Sequence, residues 1–170
     1  MIRLAQKADL PAIMDVVHDA VLFLRDNNIP QWQNNYPNET LLLRDIEKQT
    51  LYVFILKQKI VAMANIACER DPQYDRIYHG KWLTQGDYAV VHRIAVKKEA
   101  LGHGIAQHLL LEAETIARKN DLHSIRIDTH RLNIPMNRLV QKLGYQHCGE
   151  IELFDHNQKD YWRLAYEKLI

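Results

Sequence analysis

Apolar and polar positions follow two rhythms along this chain. Ile2–Ala5 reads as a short strand. From Asp9 and Pro11 onward, Ile13, Val16, Val17, Ala20, Val21 and Leu24 recur at steps of three and four, the spacing of one buried helix face. Asn27-Asn28-Ile29-Pro30 ends that helix. Gln31–Asn38 follows as a loop carrying Trp32 and Tyr36, and Glu39–Lys48 predicts a second helix with Leu42, Leu43 and Ile46 inward. Leu51–Leu56 and Ile60–Ala67 are β-rich runs joined by Lys57-Gln58-Lys59, which predicts a hairpin.

Glu69–Gly86 is polar and long for a compact domain, which marks it as a candidate functional loop. Tyr88–Val96 is the next strand. Gly104–Asn120 carries the clearest helical pattern, with Ile105, Leu109, Ala113, Ile116 and Ala117 on one face. Ser124–Thr129 alternates as a strand. Asn133–Leu143 predicts a helix: Pro135 sits in the first turn, where its missing N–H costs nothing, and Gly144 ends it. Tyr145–Phe154 and Tyr161–Lys168 are the last two strands, joined through Asp155-His156-Asn157. A helix pair near the start, an antiparallel middle and one β-α-β crossover predict an α/β (α+β) domain with a mixed sheet. A length of 170 residues predicts one domain over 1–170.

Charge narrows the partners. The 22 basic and 21 acidic residues give a net charge of +1, with no electrostatic footprint for nucleic acid or a membrane surface. No apolar run approaches the roughly 20 residues of a membrane span. The first helix pattern is interrupted by charges, unlike a secretory signal. Cys68 and Cys148 lie far apart and outside any CxxC pattern, so reduced thiols in a cytoplasmic protein are expected. Nine histidines are scattered, and His103 and His108 are badly spaced for one helical face, so no metal is expected.

Candidate chemistry concentrates in Val90–Gln107, VVHRIAVKKEALGHGIAQ. An apolar strand runs into a turn, and Gly102 and Gly104 flank His103 where a helix opens. Such a turn leaves backbone N–H groups bare at a helix N-terminus, where a phosphate docks. A dinucleotide fingerprint fits poorly, because Gln107 stands at the third glycine and several strands precede the turn. A Walker A loop is excluded, since no GK[ST] follows.

The chain resembles the Gcn5-related N-acetyltransferase (GNAT) superfamily over nearly its whole length. One string is Leu101-Gly102-His103-Gly104-Ile105-Ala106 after Ile94-Ala95-Val96, and the other is Asn133 through Leu143-Gly144-Tyr145. The resemblance implies a largely antiparallel seven-stranded twisted sheet, about four flanking helices and a splayed central strand pair. It implies acetyl-CoA as cosubstrate, with its pyrophosphate on the amides of Gly102, His103, Gly104, Ile105, Ala106 and Gln107. The pantetheine arm would run along Ile94, Ala95 and Val96, near Asn133 and Met136. The activity implied is direct acetyl transfer to an amine, or, as the alternative, a weakly active or inactive acetyl-CoA-binding sensor domain. Leu101 departs from the family's usual Arg or Gln, and Val140 stands where a tyrosine acid is usual.

An ammonium is not a nucleophile, so transfer needs a base. His92 is the candidate: strand alternation places it on the face of Ile94 and Val96, and imidazole suits proton removal near neutrality. A histidine bonded within the core is the competing reading. Glu69 is a second candidate base, at the end of the third strand; a solvated loop carboxylate competes. Arg93 is expected in an ion pair. Asp128 and Thr129 are expected to cap a turn. Tyr145, Tyr88, His130 or a water are the candidates to replace the missing acid. Trp32, Tyr36, Trp82 and Tyr88 are expected to wall an acceptor pocket for a small amine with an apolar body. A monomer or a homodimer is expected, the last strands being possible dimer edges.

Overall fold

The computed structural model of the chain describes residues 1–154 and 160–170, so the link expected at Asp155-His156-Asn157 lies outside the described residues. The elements run β1 (Ile2–Leu4), α1 (Leu10–Asp26), α2 (Glu39–Glu47), β2 (Leu51–Leu56), β3 (Lys59–Ala67), β4 (Ala89–Val96), α3 (Ile105–Lys119), β5 (Ser124–Thr129), α4 (Ile134–Lys142), β6 (Gln146–Glu152) and β7 (Trp162–Leu169). Each lies within a few residues of its expected span. Local chemistry explains the helix starts. The Asn38 side chain accepts from the Leu41 N–H at 2.9 Å, and the Asn133 side chain accepts from the Met136 N–H at 3.3 Å. Both satisfy donors that a helix N-terminus leaves bare. The Asp9 carboxylate, in front of α1, accepts from the Gln6 N–H at 2.7 Å and pairs with Arg3.

Seven strands form one sheet in the order β1-β2-β3-β4-β5-β7-β6. Every neighbouring pair is antiparallel except β4 and β5. The helices α3 and α4 cover one face, where Ile105, Leu109, Leu110 and Val140 pack on Ala62, Ala64, Val91 and Ile127. The other face is covered by α1 and α2, through Ile13, Val16, Val17, Leu42 and Ile46 on Val53, Met63 and Ala95. Each such leucine or isoleucine contributes about 1.5–3 kcal/mol through burial. Among the described residues, no helix is long and apolar enough to cross a membrane.

The expected functional loop after β3 is mostly scaffold. Tyr74 is 1 % exposed, Trp82 8 % and Tyr88 1 %, and all three pack with Val90, Ile151 and Ala165. Tyr78 makes an isolated bridge to Glu150, and the Lys81 N–H donates to the Cys148 carbonyl at 2.9 Å, so the segment lies along the outer edge of β6. The buried Glu167 carboxylate accepts from the Leu83 N–H and the Thr84 hydroxyl, each at 2.6 Å, and from the Ser124 hydroxyl. Arg126 lies 3.3 Å from that carboxylate and sits over the rings of Trp82 and Tyr88.

Candidate active site

The site begins where β4 and β5 part. Their parallel pairing covers only Ala89↔Ile125, Val90↔Arg126 and Val91↔Ile127. Beyond it, β4 stays with β3 as far as Val96, while β5 stays with β7 as far as Thr129. Among the described residues, no strand bonds to the β5-facing edge of β4 after Val91. That edge offers backbone donors and acceptors to an extended ligand.

A bulge lies at the same place. Met63 opposes Ala95 and Asn65 opposes His92, so Arg93 and Ile94 together oppose Ala64. Arg93 has φ +49°. The extra residue inverts the alternation. His92 therefore shares a face with Met63 and Ala95, whereas Ile94 and Val96 pack on the α3 side. The expectation that His92 faces the same way as Ile94 and Val96 is corrected: period-two counting fails across a bulge.

A cleft of about 460 Å³ passes through the gap. From β4 it is lined by His92, Arg93, Ile94, Ala95 and Val96, and from β5 by Asp128 and Thr129. It is also lined by Lys98, Leu101, Ala106, Asn133 and Met136, and by Trp32, Tyr36 and Asp71. Gly102 has φ +80° and Gly104, the N-cap of α3, +71°; a methyl group on either would meet nothing within 4 Å. Open space thus flanks both glycines where α3 begins, and their left-handed backbone would strain any side chain there.

Three polar pairs set the floor. The His92 Nε2 lies 3.0 Å from an Asp71 carboxylate oxygen, with side-chain exposures of 20 % and 16 %. Burial pushes the Asp71 carboxyl up, but its bond to His92, the charge of that ring and the Gln73 N–H outweigh this and hold it below its ordinary range. The Tyr74 hydroxyl donates to Asp128 at 2.7 Å. Burial beside Asp128 drives the Tyr74 phenol well above its usual value, so it remains a donor. Arg93 pairs with Asp45 at 2.5 Å and donates to the Tyr36 oxygen at 3.2 Å, the ion pair expected of it.

Other expected residues fall elsewhere. Glu69 is exposed and paired with Lys48 at 3.0 Å, and it does not line the cleft. Trp82 and Tyr88 are corrected from pocket walls to core: the Trp82 indole N–H donates to the Tyr74 carbonyl at 2.8 Å, and neither residue lines the cleft. Tyr145 is buried among the α3 contacts with no hydrogen-bond partner for its hydroxyl among the described residues, and burial raises its phenol. His130 is buried beside Asp160, 2.9 Å away. Neither lines the cleft, so both drop out with Tyr88 as candidate acids. Val140 is fully buried. Ile105 is core; His103 is exposed, its Nδ1 3.0 Å from the Leu101 carbonyl oxygen; and Gln107 does not line the cleft. Asn133 and Met136 line it, and the Asn133 amide also donates to Gln31 at 2.9 Å.

Sequence reasoning missed Asp71, and it misjudged Asp128, which does not cap a turn but lines the cleft with its carboxylate bonded by the Tyr74 hydroxyl. The alternation of Ile125 and Ile127 in β5 could have flagged Asp128 as facing away from α3. No pattern pointed to Asp71, which reaches His92 only through the tertiary fold.

The family model described as "Acetyltransferase (GNAT) family" matches residues 20–145. A GNAT-family acetyltransferase from Streptococcus agalactiae is 32% identical, with a TM-score of 0.88 over 100% of this chain and 95% of that one. A ribosomal-protein-alanine N-acetyltransferase from Brucella melitensis is 19% identical, with a TM-score of 0.72 over 100% and 99%. The PaiA N-acetyltransferase from Thermoplasma acidophilum, solved in complex with coenzyme A, is 18% identical, with a TM-score of 0.73 over 100% and 98%. These last two are likenesses of fold. No curated protein sequence matches the chain.

Proposed function

We propose that this chain, which belongs to the acetyltransferase (GNAT) family, moves the acetyl group of acetyl-CoA directly to the amine of a small molecule. The observation that carries the reading is the gap between β4 and β5, which opens toward the glycine turn on one side and toward the Asp71–His92 pair on the other.

Acetyl-CoA supplies an activated acetyl carbon and a thiol leaving group. In this reading the first amides of α3, bared by Gly102 and Gly104, take the pyrophosphate, and the β4 edge at Ile94–Val96 takes the pantetheine. Asn133 and Met136 border that arm. An acceptor entering beside Trp32 and Tyr36 brings its amine to His92, and the carboxylate of Asp128 accepts a hydrogen bond from it. The bulge supports this division: one extra residue gives the donor side to Ile94 and Val96 and the acceptor side to His92. A backbone N–H of β4 near Val96 bonds the developing oxyanion. Tyr36 lines the cleft with its oxygen already bonded by Arg93, so its own proton is free to meet the departing sulfur.

The first test is thermal denaturation with acetyl-CoA. A ligand at 100 times its Kd adds about 2.7 kcal/mol to the folded state. For a chain of this size that corresponds to roughly 5–11 °C in Tm. No shift at millimolar acetyl-CoA overturns the reading. Thiol release across a panel of primary amines then tests transfer. The second reading, a weakly active acetyl-CoA-binding module, is favoured by the fully buried Val140, which offers no proton from α4. A shift in Tm without thiol release supports that module instead.

A further inference from the structure

We infer that Asp71 is the positioning residue of this site: it fixes the His92 ring with its proton on Nε2 and leaves Nδ1 bare to take the proton of the acceptor amine. The inference rests on the reading of His92 as the base and names the atom that acts.

An ionised carboxylate only accepts hydrogen bonds, so at 3.0 Å the Nε2 of His92 must be the donor. A neutral imidazole with its proton on Nε2 has a lone pair on Nδ1. Among the described residues Nδ1 has no hydrogen-bond partner, and His92 lines the cleft. Asp71 is ionised because its partners outweigh its burial.

The carboxylate cannot easily swing away. Its other oxygen accepts from the Gln73 N–H at 2.9 Å. The Asp71 N–H donates to the Tyr88 hydroxyl at 3.3 Å, and Tyr88 is 1 % exposed. Pro72 follows and opens a short helical turn, Pro72–Tyr74. The Tyr74 ring packs beside the imidazole with 6.0 Å between centroids. The ring is held from the side opposite its working nitrogen, as a base requires if a third group is to orient it.

The step balances within the site. The acceptor enters the step as its neutral amine; its nitrogen forms a bond to the acetyl carbon, and one N–H bond breaks. That proton goes to Nδ1 of His92, and the electron pair of the broken carbon–sulfur bond leaves with the sulfur. The imidazolium so formed sits against the Asp71 carboxylate, which stabilises its charge. The proton is then lost to solvent.

The test reads the ring directly. In ¹⁵N NMR of the intact protein, with His92→Gln used to assign the signal, the neutral wild-type ring is expected to show a protonated Nε2 and an unprotonated Nδ1. In Asp71→Asn, the carboxamide can donate to Nε2, so the proton is expected on Nδ1 or divided between the two nitrogens. Thiol release by Asp71→Asn is expected to fall at least tenfold, with the KM for acetyl-CoA and its thermal shift unchanged, and Asp71→Glu is expected to recover part of the rate. A wild-type ring protonated on Nδ1, or an Asp71→Asn variant with the wild-type tautomer and rate, overturns the inference. The expected tautomer in a protein whose His92→Ala variant keeps full activity supports the placement by Asp71 and overturns the base instead.

Discussion

His92→Ala is expected to lower the rate of acetyl transfer by more than tenfold, and by as much as the roughly 10²–10⁴-fold that a positioned base contributes. Acetyl-CoA affinity is expected to stay the same, because the imidazole lies on the Met63–Ala95 face of β4, whereas the proposed pantetheine contacts are made by the backbone edge at Ile94–Val96. The change removes a ring that is only 20 % exposed but borders the open cleft, so the loss of packing is small beside the loss of rate. Thiol release with the best amine of the panel gives kcat, and the acetyl-CoA thermal shift gives affinity. An unchanged rate sinks the assignment. A fall in rate matched by a fall in acetyl-CoA affinity points instead to a collapse of the groove.

Gly80→Val is expected to have the largest effect on stability. A Cβ at this position would lie 1.9 Å from the Cys148 carbonyl oxygen and 2.9 Å from its carbon. These are backbone atoms of β6, so no flexible side chain can move aside. Opposite, a Cβ on Gly149 would lie 2.5 Å from the Tyr78 carbonyl oxygen. The two glycines let the segment approach β6 closely enough to bond it through Tyr78 and Lys81. Valine is expected to part them at a cost of about 3 kcal/mol or more. That corresponds to roughly 6–12 °C in Tm, read by calorimetry or a urea midpoint. A variant that melts within 2 °C or so of wild type would show that the segment is not fastened there.

The elements were legible in the sequence because most are amphipathic. Leu109 and Ala113 announced α3, and Asn133 and Gly144 bracketed α4. The glycine turn was legible because its chemistry is local: two glycines, a preceding apolar strand and a following helix are contiguous. The acceptor side was not, because distant segments assemble it. Asp71, after β3, meets His92 of β4, and Tyr74 meets Asp128 of β5. The aromatic residues misled for a physical reason. Trp82 and Tyr88 sit in a polar stretch, yet they fill a third cluster under Arg126, and composition does not distinguish a wall from a foundation. The bulge at Arg93 was equally hidden, since a left-handed arginine leaves no mark on the pattern of apolar positions.

The short turn that carries Asp71 stands with one foot on each diverging strand. Asp71 holds β4 through His92, and Tyr74, three residues later, holds β5 through Asp128. It is a strut across the mouth of the gap. Spreading the strands requires breaking one bond or the other, and Trp82 in turn ties the carbonyl of Tyr74 into the core. The width of the opening is thus gauged by the span of a single turn.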